Sequence, residues 1–189
     1  AKRFSGFTSE ITYIIDAPEA PENAVFTVRG RDTAEAMTFT PVDGEPNRWS
    51  LTADRTDFNG VERPILLSVN GSENVESGLT VTGREAESVV VLSLGKFAHK
   101  LSVACEEGID RWGIETHDPS KMDAIMTGDT VTLSAELQEG YKSLRLTSEP
   151  AGLKYTVNNN TVTFTMPFHD VKITLSGVRG YQANFMYNY

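Results

Sequence analysis

Apolar residues recur at every second position in short runs along this chain, and that spacing is what most limits its fold. TVTFTM (161–166) sets Val162, Phe164 and Met166 on one side and threonines on the other. DVKITLSG (170–177) repeats the device with Val171, Ile173 and Leu175. Successive side chains of a strand point to opposite faces, so each run reads as a strand with one buried and one wet face. No long 3.6-residue period competes with this pattern. Between the two runs, MPFHD reads as a turn that returns the chain along the neighbouring strand.

The same reading extends over the whole sequence. ITYII (11–15), AVFTVRG (24–30), AMTFTPV (36–42), RWSLTAD (48–54), PILLSVNG (64–71), GLTVTG (78–83) and ESVVVLSL (87–94) are strand candidates. Gly, Asn, Asp and Pro crowd the separators, as turn chemistry requires. Seven short strands over about 85 residues fit an immunoglobulin-like sandwich. The acidic, proline-bearing DAPEAPEN (16–23) reads as a turn or a linker arm, and residues 1–23 are expected to be an N-terminal strand or arm. A new series begins after Gly95 with HKLSVAC (99–105) and continues through TVTLSAEL (130–137), YKSLRLTS (141–148), KYTV (154–157) and the two opening runs. The expected architecture is all-β: two tandem immunoglobulin-like β-sandwich domains at 24–95 and 96–178, with extended arms at 1–23 and 179–189. The connection at 106–129 is long for a bare loop and either has a function or holds a short element of its own.

Charge narrows the partners. The formal net charge is −9, with nine basic against fifteen acidic residues up to Lys96 and eight against eleven after it. Both halves are acidic and neither has a basic cluster, which opposes binding to nucleic acid or anionic membranes. The lone cysteine, Cys105, precludes an intrachain disulfide. No apolar run is long enough to cross a membrane as a helix. The start, AKRFSGFTSE, has no signal-peptide core, so Ala1 is expected to follow either a cleaved signal or a trimmed methionine.

Few residues invite chemistry. His99, His117 and His169 share no metal-ligand spacing with one another or with Cys105, so no metal is expected. His169 reads as a solvated turn residue, and His117-Asp118 as a chance pair rather than a dyad. Cys105 shares parity with Leu101 and Val103, and so reads as a small buried hydrophobe. The acidic residues of 106–129 match no calcium-loop spacing. Phosphate-loop, dinucleotide and nucleophile-elbow motifs are missing from the sequence, and the expectation is a non-enzyme without cofactors. Trp49 shares parity with Leu51 and Ala53 and reads as core. Trp112, between Arg111 and Gly113, is either loop packing or a contact for a protein partner or a glycan.

The second half resembles a known family. GDTVTLSA (128–135), EGY (139–141) and NNTVTFTMPFHDVKIT (159–174) are similar to the bacterial repeat domains related to the internalin B-repeat, which are common in multi-domain surface proteins. In GYKSLRL the sequence departs from the family, which usually places an aromatic and then Trp after Gly-Tyr. The resemblance implies a non-catalytic β-module of a structural or adhesive surface subunit. Beyond it, YQANFMYNY (181–189) alternates with Tyr181, Ala183, Phe185, Tyr187 and Tyr189 on one face. Tyr181, Phe185, Tyr187 and Tyr189 form a candidate assembly strand, packed on its own domain or added to a neighbouring subunit. The expected role is a structural or adhesive subunit of an extracellular bacterial surface structure, partnered by copies of itself or other subunits. A phage virion component is the alternative, and a carbohydrate-binding module a further one.

Overall fold

The alternating runs become strands throughout a computed structural model that describes residues 9–31 and 35–180. Two compact units divide the chain, residues 1–97 and 98–189.

The first unit contains β1 (Glu10–Asp16), β2 (Ala24–Arg29), β3 (Ala36–Thr38), β4 (Thr40–Pro41), β5 (Arg48–Asp54), β6 (Arg63–Val69), β7 (Val75–Val81) and β8 (Val89–Ser93). They form two four-stranded sheets, ordered β4-β5-β1-β8 and β3-β2-β6-β7. The sheets meet through their apolar faces: Phe26 of β2 packs edge-on to Trp49 of β5 at 4.9 Å, and Tyr13 of β1 edge-on to Phe58 at 5.8 Å. Ile11, Tyr13, Ile15, Phe26, Ile65 and Leu67 are almost fully buried. Each such side chain contributes about 1.5–3 kcal/mol, which makes the alternation energetically decisive. The segment expected to be an arm supplies the heart of this unit instead. Strand β1 lies between β5, to which it is antiparallel, and β8, to which it is parallel. DAPEAPEN is thus a turn within the unit, with Ala17 and Ala20 buried.

The second unit contains β9 (Ala98–His99), β10 (Leu101–Cys105), β11 (Ile109–Ile114), β12 (Ile125–Met126), β13 (Thr130–Leu137), β14 (Tyr141–Glu149), β15 (Tyr155–Asn158), β16 (Thr161–Thr165) and β17 (Val171–Arg179). Its sheets are β10-β17-β14 and β11-β13-β16-β15, with β9 and β12 as a small ribbon. One core joins them, including Leu133, Val162, Phe164 and Met166 from one sheet and Leu146, Ile173 and Leu175 from the other. This corrects the expected path of MPFHD. The turn does not lay β17 beside β16; it carries the chain from one sheet across to the other. Both runs still bury their alternating faces, because each faces the shared core from its own side.

The connection 106–129 has elements of its own: β11, a 3-10 turn at Pro119–Lys121 and β12. Strand β11 escaped the pattern reading because a bulge between Ile109 and Arg111 shifts its register against β13. An extra residue at that point breaks the two-residue period.

A polar knot ties the crossover from β7 to β8. The buried Tyr13 hydroxyl donates to Glu85 Oε1 at 2.8 Å and accepts from the Gly83 N–H at 2.8 Å. Arg55 donates to the carbonyls of Gly83, Glu85 and Glu87 at 2.7–3.0 Å. Gly83 is required there: its φ is +76°, and a Cβ would stand 2.5 Å from the Arg55 carbonyl oxygen. Burial, reinforced by the bond to Glu85, raises the Tyr13 pKa well above the ordinary phenol value. For Glu85, burial alone pushes the pKa upward, but hydrogen bonds from its own backbone, Tyr13 and Thr82 outweigh that and leave it lowered.

Tyr13→Phe should therefore destabilise the first unit by about 1–3 kcal/mol, as leaving buried polar groups unpaired does. Urea unfolding of the full chain measures this. The lowered Glu85 carboxyl contributes stability above its unfolded value, and that contribution disappears as pH falls through the folded one. The stability advantage of the wild type over Glu85→Gln should accordingly shrink as pH falls below about 4.

Candidate functional site

The least protected place on the first unit is the outer edge of β8. Thr12 N–H donates to the Ser88 carbonyl at 2.8 Å, and Leu94 N–H donates to the Asp16 carbonyl at 2.9 Å. In a parallel ladder this sends the peptide groups of the even-numbered residues toward β1, and those of Val89, Val91 and Ser93 outward. Val89 and Val91 are each 52% exposed. Val90 and Leu92 pair with Tyr13 and Ile15 on the core side, yet both are only half-buried. The core thins out where β8 ends the sheet. Sequence reading treated VVVLS as one more strand; the missing charge and the missing alternation were the available signals of an edge.

The long connection assembles a second polar cluster. His117 Nε2 lies 2.9 Å from Asp129 Oδ2, and its Nδ1 lies 2.8 Å from Thr116 Oγ1. Thr116 Oγ1 in turn accepts from the Thr132 N–H at 3.1 Å. The partner of His117 is therefore Asp129, not the adjacent Asp118, whose carboxylate accepts from the N–H and hydroxyl of Ser120. These contacts hold the connection against β13. Among the described residues, no three His, Cys, Asp or Glu side chains gather in a way that could hold a metal.

Trp112 stands on β11 opposite Ala135, on the side facing the core, and packs half-buried against it. Its neighbours Arg111 and Gly113 face outward, where Arg111 Nε donates to Glu136 Oε2 at 2.6 Å. Because Gly113 has no side chain, an open hollow of about 320 Å³ remains, lined by Arg111, Trp112, Gly113, Ser134, Ala135 and Glu136. Trp49 lies in the core of the first unit, 4% exposed.

Cys105 is a correction. It is exposed rather than buried, because β10 runs past the edge of the core after Leu101 and Val103. Partial desolvation still raises its thiol pKa. His169 is exposed in the MPFHD turn, and the His99 ring packs edge-on to Phe168 at 5.2 Å. Tyr181, Phe185, Tyr187 and Tyr189 lie outside the described residues.

Tyr141, Gly128, Asp129, Met166 and Asp170 of the family pattern have structural work, together with residues outside it. Gly108 and Gly177 bring two backbones together beneath the ring of Tyr141, and a Cβ on Gly177 would come within 2.7 Å of that ring. Arg179 stacks on this ring, 4.8 Å from the centroid. Asp170 accepts from the Lys100 N–H at 2.9 Å, which anchors the end of the crossover turn. Gly128 N–H donates to Met166 O, and Met166 N–H to Asp129 O, both at 2.8 Å, closing the start of that turn.

Comparison with known families agrees with this motif. Residues 119–188 match the divergent InlB B-repeat domain, bearing out the resemblance of the C-terminal half. No curated protein matches the chain. Among solved structures, a bacterial adhesin from Mobiluncus mulieris is 12% identical, with 90% of this chain and 100% of that one covered and a TM-score of 0.33. A major pilin from Streptococcus pyogenes is 8% identical, with coverages of 89% and 98% and a TM-score of 0.32. The Bacillus anthracis TIE protein is 12% identical, covers 90% of this chain and 34% of that one, and has a TM-score of 0.26. These superpositions are loose, so the all-β assignment rests on the strand pairing itself.

An exposed thiol should react in the native fold. Cys105 should take up one equivalent of a thiol reagent without denaturant, and faster as pH rises toward its elevated pKa. Protection until unfolding would place it back in the core.

Proposed function

We propose that this chain is a non-enzymatic structural or adhesive subunit of a bacterial extracellular surface structure, working through protein–protein contacts. The observation that carries this reading is the divergent InlB B-repeat match at 119–188, together with what its residues do. Gly177, Tyr141, Met166 and Asp170 are all engaged in closing a β-sandwich rather than in composing a reactive site. A domain whose signature is structural suits a chain that spaces, presents or joins. The C-terminal segment, with Tyr181, Phe185, Tyr187 and Tyr189 on one face of its alternation, is the joining element in this reading.

The test compares the full chain with one ending at Gly180, which keeps β17 whole. Light scattering should show concentration-dependent oligomers for the full chain and monomers for the shortened one. Monomers in both cases, at high concentration, would remove the assembly role.

The hollow beside Trp112 supports a second reading, saccharide recognition. Gly113→Val tests it by filling the hollow from a position where the added Cβ itself meets only Ser134 Oγ, at 3.7 Å. Glycan-array binding by the wild type that falls at least tenfold in this variant would establish the hollow as a sugar site; no binding by the wild type would dismiss it.

A further inference from the structure

The two units close their sheets in related ways, with one difference. In the second unit the last strand, β17, runs parallel to an early strand, β10, on one side and antiparallel to β14 on the other. In the first unit the last strand, β8, likewise runs parallel to the first, β1. On its other side, among the described residues, β8 has no strand. Among the described residues, the position filled by β14 in one unit has no counterpart in the other.

Most other edges are guarded by the usual means, and at β10 the outward Leu101 N–H is taken by the Met122 carbonyl at 2.8 Å. Strand β4 is two residues long and holds Pro41; β7 has Glu76 and Gly78; β11 has Asp110 and Arg111 at its bulge; β14 has Lys142 and Arg145. At β15, the Tyr155 hydroxyl donates across to the Leu146 carbonyl at 3.3 Å and so ties that edge to the opposite sheet. Strand β8, VVVLS, has no charge, no proline and no bulge. It offers outward peptide groups at Val89, Val91 and Ser93 and half-covered apolar side chains at Val90 and Leu92. An unguarded apolar edge is a template for strand addition.

We propose that the β8 edge is an acceptor for residues 181–189 of a second copy, which add antiparallel beside Val89–Ser93. This rests on the structural-subunit reading and names the partner surface within it. The occupant follows from its chemistry. YQANFMYNY has no charged residue, so its burial against an uncharged edge leaves no ion to desolvate. Nine extended residues reach about 30 Å, enough to pair with all five residues of β8. Its alternation fits the two faces: Phe185 and the tyrosines lie over the thinned core beside Val90 and Leu92. Gln182, Asn184, Met186 and Asn188 then come level with Val89 and Val91 on the outside. Acceptor and donor belong to different units, so each copy both gives and takes, and the contact propagates head to tail.

Val91→Pro tests the acceptor directly. It deletes an outward N–H while leaving the β1 bonds of Val90 and Leu92 in place, as proline on an edge strand does. Circular dichroism should show a folded chain, and light scattering should show monomers as complete as those from truncation at Gly180. Val61→Lys, at a loop residue 49% exposed, should assemble as the wild type does. A second measurement holds even if Val91→Pro fails to fold. In a Cys105→Ser background, chains with Val91→Cys are mixed with chains bearing Asn184→Cys or Met186→Cys and oxidised. Disulfide-linked dimers in these mixtures, but not with Val61→Cys, are the expected result. Tail-dependent assembly without such dimers, with Val91→Pro assembling normally if it folds, overturns this proposal and leaves the subunit reading intact. A disulfide closing within one chain of the double variant Val91→Cys/Asn184→Cys, without ladders, also overturns it, because the edge then takes its own tail. A wild type that never assembles overturns both.

Discussion

The hydroxyl of Tyr13 fixes the geometry of the first unit. A chain leaving β7 must cross from one sheet to the other before it can begin β8, and nothing apolar in Gly83–Ser88 steers it. The steering is polar: a buried phenol bonded to Glu85 and Gly83, and an arginine holding three carbonyls at alternate residues of the crossover. Such a network is worth more than its separate bonds when every member is satisfied, since the local dielectric is low. It sets where β8 starts, hence its register on β1, and hence which of its peptide groups face outward. The exposed edge is a product of a well-made interior.

The second unit solves the same crossing problem by shape. Tyr141 lies over a paired glycine contact, and no side chain fits beneath its ring. The turn after β16 is closed by backbone bonds and by the Asp170 carboxylate. One unit thus relies on a polar knot and the other on close backbone approach, although both end in a strand parallel to an early one.

The period-two pattern made the fold class legible, because burying one face of each short run leaves little choice but sheets. What it could not convey was pairing. Val162-Phe164-Met166 and Val171-Ile173-Leu175 look like two arms of a hairpin, yet an alternating run satisfies its apolar face equally well from the opposite sheet. ITYII seemed detached because DAPEAPEN follows it, but Ala17 and Ala20 are buried and keep that segment within the unit. IDRWGI escaped notice because a single bulge breaks its period. Cys105 had the right parity for burial but lay one pair beyond the end of the core, and parity has no term for where a core stops. For Trp112, neighbouring residues could not reveal that its face pairs with Ala135.

The parallel pairing of early and last strands has a mechanical corollary. In each unit five residue positions join the two strands: Thr12–Asp16 with Val89–Ser93, and Leu101–Cys105 with Val171–Leu175. Because the strands run in the same direction, one enters the pairing at the end opposite to the one where the other leaves it. Tension applied along the chain pulls the two strands past each other lengthwise. The hydrogen bonds of the pair then bear the load together, instead of opening one after another from an end as in a hairpin pulled at its tips. This pairing makes each sandwich resist being stretched between the strand that opens it and the strand that closes it.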